Sequence, residues 1–347
     1  MLPTRTVVQN ETKLEQCRLS RPYRNRLQRG LQHLLLWLST MGAREGDWIH
    51  NLEVTNQVLA DYLGWCHSHG VQFALAQHAL LAFQTRHGHL KTRLGRAWDS
   101  IKAWKMELPQ HHRLPMPMVV LQALFGTLVS CALAAPSGAT WITVAVLTRV
   151  AYYALLRPGE LLALRRADIK FILRDDSTHI MVIGIKDPKN RSAMGRTQFA
   201  TITDQATVTW ARWLWNSTLV SQKLWPGNKA NYLAVFRTGL KLAGAQAMGL
   251  TLGSLRPGGT THYYLHGLEV SRIKLAGRWA NEQSLTHYIQ EAMSFMIWGT
   301  LTIDNETRVK QTAHLSHFAW LEPPGPDLSR RLVASWPRSA HTKRGRR

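Results

Sequence analysis

Acidic residues are scarce in this chain of 347, with 21 aspartates and glutamates against 43 lysines and arginines and a formal net charge of +22. That imbalance argues against polycationic partners and favours polyanions, whose encounter rate it raises. Nucleic acid leads that class, with an acidic membrane surface second. Cysteine is scarcer still: Cys17, Cys66 and Cys131 stand far apart and form no CxxC pair. A disulfide framework and a cysteine zinc site are therefore not expected, and a reducing compartment is. The opening MLPTRTVVQNETKLEQ lacks the apolar core of a secretory signal, so an intracellular protein is expected, in a nucleus or a bacterial cytoplasm. No internal repeat is present. Charge is missing altogether between Arg113 and Arg149, and Met116 to Ala135 is long enough to span a bilayer. Pro117, Gln122, Ser130 and the break Pro136-Ser137-Gly138 favour two buried helices in a helical core instead. No membrane partner is expected.

The remaining pattern is that of amphipathic helices in two domains. Residues 1–20 read as a flexible arm. In residues 21–108, Leu27, Leu31, Leu34, Leu35 and Leu38 recur at helical spacing opposite arginines. Helices are also predicted from Asn51 to about His69, from Phe73 to Arg86 and from Leu94 to Met106, giving a four-helix bundle. Lys91, Arg93, Arg96, Lys102 and Lys105 give its end a basic surface, either a solvated helix face or a DNA-binding one. A proline-bearing linker, 109–117, leads to the second domain, 118–315. There Trp141 to Leu156 is an apolar helix stopped at Arg157-Pro158-Gly159, and a short helix follows with Glu160 near its positive end. His179–Ile185 and Gln198–Ile202 read as strands, joined by a basic turn holding Lys186, Lys189 and Arg191. Helices are predicted over Asp204–Leu219 and Ala230–Ala243. A basic tail, 316–347, is expected to be disordered. The fold class expected is mainly α (α+β): an N-terminal four-helix bundle and a mostly helical second domain with a small antiparallel β-sheet.

Leu255 to Ile289, LRPGGTTHYYLHGLEVSRIKLAGRWANEQSLTHYI, is where groups suited to phosphate chemistry concentrate. It reads as a helix, a stop at Gly267, a second helix from Glu269, a break at Gly277 and a third helix running past Tyr288 to about Thr300. Arg256 opens the first helix, Trp279 follows the break, and Tyr288 stands nine residues further on. Taken singly, these read as a surface arginine, a core tryptophan and a half-buried tyrosine. Their order, with Arg157 far upstream, points elsewhere.

ALLRPGELLALRRADI, with Glu160 three and Asp168 eleven residues after Arg157, resembles the first arginine box of the tyrosine recombinases, the phage-integrase family. SLRPGGTTHYYLHG resembles that family's second arginine box. LAGRWANEQSLTHYI is similar to its tail box, where a histidine or tryptophan precedes the nucleophilic tyrosine by nine residues. The helical bundle is similar to the family's core-binding domain, so the likeness covers about residues 25–300.

The resemblance implies DNA breakage and rejoining, with site-specific recombination or integration as the outcome. Arg157 and Arg256 would clamp the non-bridging oxygens of a scissile phosphate. Tyr288 would attack phosphorus to form a 3′-phosphotyrosine. Lys189, or alternatively Lys186, would protonate the leaving oxygen, and Trp279 would donate its indole N–H to a phosphate oxygen. No metal or other cofactor is implied. Duplex DNA is the implied partner, bound in a C-shaped clamp through Lys91, Arg93, Arg96, Lys102, Lys105 and Arg191, with a homotetramer on paired sites. One departure stands out: the family's histidine three residues before the second-box arginine is Gly253 here. That leaves a catalytically weakened enzyme, or a DNA-binding protein without cleavage, as the alternative. A type IB topoisomerase shares the arginine–lysine–tyrosine logic and ranks lower.

Overall fold

A computed structural model describes residues 19–108, 113–134, 138–186, 188 and 195–325, which fall into two compact units divided at residues 111 and 112. In the N-terminal unit, helices α1 (Arg21–Thr40), α2 (Glu45–Trp48), α3 (Leu52–Ser68), α4 (Phe73–Arg86) and α5 (Gly95–Glu107) surround a core of Leu34, Leu38, Leu59, Tyr62, Leu63, Leu80, Phe83 and Ile101. The helical spacing of these residues builds that core, since each supplies the inward stripe of its helix. Asn51 caps α3 by accepting from the backbone N–H groups of Glu53 and Val54.

The C-terminal unit is built on α6 (Met118–Ala134) and α7 (Gly138–Tyr153), which take up the uncharged stretch of the sequence and, near the end of α7, Arg149. Both are buried over most of their surface, and none of the described helices is long and apolar enough to cross a membrane. After α8 (Pro158–Ala163) come three antiparallel strands, β1 (Ile169–Leu173), β2 (His179–Lys186) and β3 (Thr197–Ile202), in that order. Ile169 pairs with Ile183, and Gly184 with Phe199. Met181, Ile183 and Ile185 turn inward, as period-two alternation requires. The rest is helical: α9 (Gln205–Trp215), α10 (Lys229–Leu242), α11 (Leu255–Leu265), α12 (Val270–Gly277), α13 (Glu282–Thr286), α14 (Glu291–Met296), α15 (Ile303–Leu315) and α16 (His317–Leu321). The architecture is thus mainly α with a small antiparallel sheet.

Four details differ from expectation. Strand β1 was not anticipated, because five residues with Ile172 and Leu173 left exposed carry little period-two signal. Helix α9 stops at Trp215, before the expected Leu219. The expected helix from the Gly277 break to Thr300 is interrupted at residues 287–290. There the Thr261 hydroxyl donates to the Tyr288 carbonyl (3.2 Å) and accepts from the Gln290 N–H (3.1 Å), taking two backbone groups that a continuous helix would pair internally. Lastly, residues 316–321 are packed structure rather than tail: Ser316 and Trp320 are buried.

Arg149 explains that packing. Its guanidinium is wholly buried. It donates to the Trp320 carbonyl (2.6 Å), Thr207 Oγ1 (2.6 Å) and Asp204 Oδ2 (3.1 Å), and lies 3.7 Å from the Trp320 ring centroid. Arg149→Ala removes the cation and leaves the half-buried Asp204 without it. It should cost about 3 kcal/mol, read as a lower denaturant midpoint with an unchanged m-value.

Candidate active site

Arg157, Arg256, Arg278, Trp279 and Tyr288 come from three stretches of sequence and reach one locality of the C-terminal unit. The pair Gly258–Gly259 makes this possible for Arg256. A Cβ on Gly258 would strike the backbone of Met116, and one on Gly259 would strike the Tyr152 carbonyl. Helix α11 therefore lies directly against the end of α7. Arg256, one turn earlier, is 2% exposed. It donates from Nη1 to the Leu155 carbonyl (2.6 Å) and from Nη2 to the Gly277 carbonyl (2.5 Å).

The segment after α12 completes the grouping. A Cβ on Gly277 would run into the ring of Trp279, so glycine is required for the tryptophan to fold back. Trp279 then packs with Leu155, Ile273 and Leu285 in a small core of its own. Its ring stands 4.1 Å from Arg256 Cζ, and that of Tyr288, 5.1 Å from the Trp279 ring, stands 5.4 Å from the same Cζ. The guanidinium thus faces two aromatic rings, a cation–π arrangement. Tyr288 is half-buried, in the turn that Thr261 pins.

Arg157 joins through Glu160. The carboxylate accepts from Arg157 Nη1 on Oε1 (2.6 Å), and on Oε2 from the Arg157 backbone N–H (2.9 Å) and Arg278 Nη2 (3.0 Å). Arg278, at 3% exposure, is the residue that sequence reading passed over. Only its place beside Trp279 marked it, and an arginine in a helix-ending turn ordinarily faces water. It also donates to the carbonyls of Ala154 and Leu155 (both 3.1 Å).

The electrostatics are lopsided. Three guanidiniums share one buried carboxylate. Burial alone would push Glu160 up, yet the Arg157 backbone N–H and the guanidiniums of Arg278 and Arg157 hold it below the ordinary carboxylate range. Burial pushes Arg256 down, and the charges of Arg157 and Arg278 push it further, against the pull of Glu160 and Tyr288. Arg256 Nε is buried with no hydrogen-bond partner among the described residues. A cluster so charged favours an anion with several acceptor oxygens.

Lys186 donates to Asp168 Oδ1 (2.6 Å) and is exposed. Lys189 and Arg191 fall outside the described residues. Lys91, Arg93, Arg96, Lys102 and Lys105 are exposed on the N-terminal unit, with Lys102 paired to Asp99. Gly253 offers no side chain. A Cβ there would lie 3.1 Å from Cδ and 3.3 Å from Nε of Arg113, whose side chain runs over it. His262 packs edge-on or tilted among Tyr152, Tyr153 and His266, and burial lowers it to about 4, so its ring is neutral near pH 7.

Two outcomes follow. Inorganic phosphate should raise the unfolding midpoint, by about 2.7 kcal/mol of stability at a hundredfold excess over its Kd, and Arg256→Gln should abolish the increase in a thermal melt. The depressed Glu160 contributes stability that is present above its ordinary value of 4.5 and is lost as pH falls through its lower folded value. Glu160→Gln should therefore cost stability at pH 7 and little at the acid end, measured by urea unfolding across pH.

No protein-family model and no curated protein matches the chain. Among solved structures it is similar to the XerH site-specific recombinase bound to palindromic difH substrate in a post-cleavage complex, with a TM-score of 0.45, 13% identity, and 68% of each chain covered. The same recombinase in a pre-cleavage complex gives 0.43 and 14%, over 68% of this chain and 67% of that one. The XerA recombinase gives 0.39 and 15%, over 82% and 94% respectively.

Proposed function

We propose that this protein breaks and rejoins duplex DNA through Tyr288, as a site-specific recombinase or integrase. The observation that carries the reading is the buried Arg256 guanidinium set against the rings of Trp279 and Tyr288, with Arg157 tied in through Glu160. Phosphodiester cleavage by a phenol needs cationic donors fixed where charge develops on the non-bridging oxygens, and planar forks serve that geometry best. In the proposed step the Tyr288 phenol gives up its proton to water, its oxygen forms a bond to phosphorus, and the bond from phosphorus to the 5′ oxygen breaks. The leaving oxygen takes a proton from Lys189 or Lys186. The product is a 3′-phosphotyrosine and a free 5′-hydroxyl. Attack by a 5′-hydroxyl reverses the step, so the bond energy is kept and no nucleotide is consumed. Trp279 supports the tyrosine segment by packing and offers its indole N–H to a phosphate oxygen. The basic excess of the chain, including the exposed Lys91, Arg93, Arg96, Lys102 and Lys105, supplies phosphate contacts along the duplex. Four copies on paired sites would carry out strand exchange.

Gly253 favours a second reading, DNA binding without cleavage, because glycine can neither shuttle a proton nor donate from a side chain. A duplex nicked beside the cleavage position separates the two. Cleavage predicts a covalent protein–DNA adduct that is absent in Tyr288→Phe and formed 10²–10³-fold more slowly in Arg256→Ala, an effect on the order of losing one transition-state donor. Salt-sensitive binding with no adduct from the unaltered protein would establish the binding-only reading. An affinity indifferent to salt would exclude both.

A further inference from the structure

Arg278 is buried, charged and held in a backbone conformation that arginine rarely adopts. Its φ is 59° and it follows the last residue of α12. Leu155, the residue whose carbonyl it contacts, is likewise at positive φ (50°). Non-glycine residues persist in this region only where their surroundings fix them, and such strain gathers at functional sites. Here the fixing is visible. One guanidinium spans the Ala154 and Leu155 carbonyls and Glu160 Oε2.

Two consequences bear on the reaction. Glu160 holds Arg157 by its guanidinium and its backbone N–H. Arg278, by occupying Oε2, fixes the rotation of that carboxylate and with it the direction of the Arg157 fork. The Leu155 carbonyl that Arg278 holds is also the one on which Arg256 docks. Arg278 therefore touches the supports of both clamping arginines from the residue adjoining Trp279. Charge sharing matters as well. With Arg278 gone, Arg157 would be the one guanidinium still hydrogen-bonded to the carboxylate and more of its charge would be neutralised, leaving a weaker field for a phosphate.

We propose that Arg278 is a positioning residue for strand cleavage, acting on Arg157 through Glu160 and on Arg256 through the Leu155 carbonyl. This rests on the cleavage reading above. It is distinct from any DNA contact, since Arg278 is buried against its own chain.

The test uses the full chain and a nicked duplex at saturating concentration, with adduct rate and final amplitude recorded separately. Arg278→Ala should slow adduct formation about 100-fold, the order expected from a small misplacement of catalytic groups. Amplitude and duplex Kd should stay within about threefold, since buried Arg278 contributes no counterion release. In a Glu160→Gln background the further loss from Arg278→Ala should shrink to a few-fold, because partners in one network do not add. A purely structural role would instead lower the amplitude, as fewer molecules fold, and leave the rate of the folded ones unchanged. That outcome overturns the proposal, as does full additivity with Glu160→Gln. If Arg278→Ala fails to fold, Arg278→Lys carries the same comparison. It keeps the charge but not the fork, and a rate within twofold of the unaltered protein overturns the proposal. No adduct from the unaltered protein would defeat the cleavage reading and this one with it. An adduct formed at equal rates by both proteins would defeat only the role of Arg278.

Discussion

The Leu155 carbonyl oxygen accepts from Arg256 Nη1 and from Arg278 Nη2, and this shared acceptor ties together stretches of chain more than a hundred residues apart. It anchors α11 and the segment after α12 at one point just past the end of α7. An unprotonated acceptor is what the place demands. Two buried guanidiniums repel each other, and neutral carbonyl dipoles bring them close without cancelling their charge. Glu160 then neutralises only part of the total, so the cluster keeps an excess positive charge out of water. Burying charge unpaired is costly. A site that holds it suits a ligand bringing the missing negative charge.

The surrounding packing is arranged to keep that excess in place. Gly258 and Gly259 admit the Tyr152 and Met116 backbones, Thr261 turns the chain at Tyr288, and Gly277 leaves room for the Trp279 ring. These small residues follow one another along twenty residues of sequence, each solving a local steric problem. The separate small core of Leu155, Ile273, Trp279 and Leu285 excludes water on one side of the guanidiniums, where electrostatic interactions are stronger for being dry. Farther off, Arg149 does for the end of the described chain what Arg256 does for the site. It fixes a late segment to α7 by donating to a backbone carbonyl.

Much of this was legible in the sequence, for physical reasons that can be named. Helices α1, α3, α4 and α5 carry apolar stripes, and the charge-free run between Arg113 and Arg149 covers α6 and most of α7, so the presence of these helices followed from periodicity and from the break between α6 and α7. Arg256, Trp279 and Tyr288 were singled out by spacing, and their side chains meet in the structure. What escaped was decided by tertiary hydrogen bonds. The turn at Tyr288 depends on a threonine 27 residues away, which no local propensity can register. Arg278 looked like one more basic residue in a chain rich in them, because nothing local distinguishes a buried arginine from an exposed one. The partner that reveals it, Glu160, lies 118 residues away. Strand β1 is held by its pairing to β2 rather than by its own composition.

Gly253 can be weighed against this electrostatic background. A histidine at that place would contribute one hydrogen bond, and a proton if charged. In the proposed cleavage, charge stabilisation would rest on Arg157 and Arg256, with Arg278 as their support, rather than on a histidine. Proton transfer to the leaving oxygen is a separate requirement of the proposed step, assigned there to Lys189 or Lys186. The side chain of Arg113 runs over Gly253 in the room that the glycine leaves. A histidine there would have to displace it.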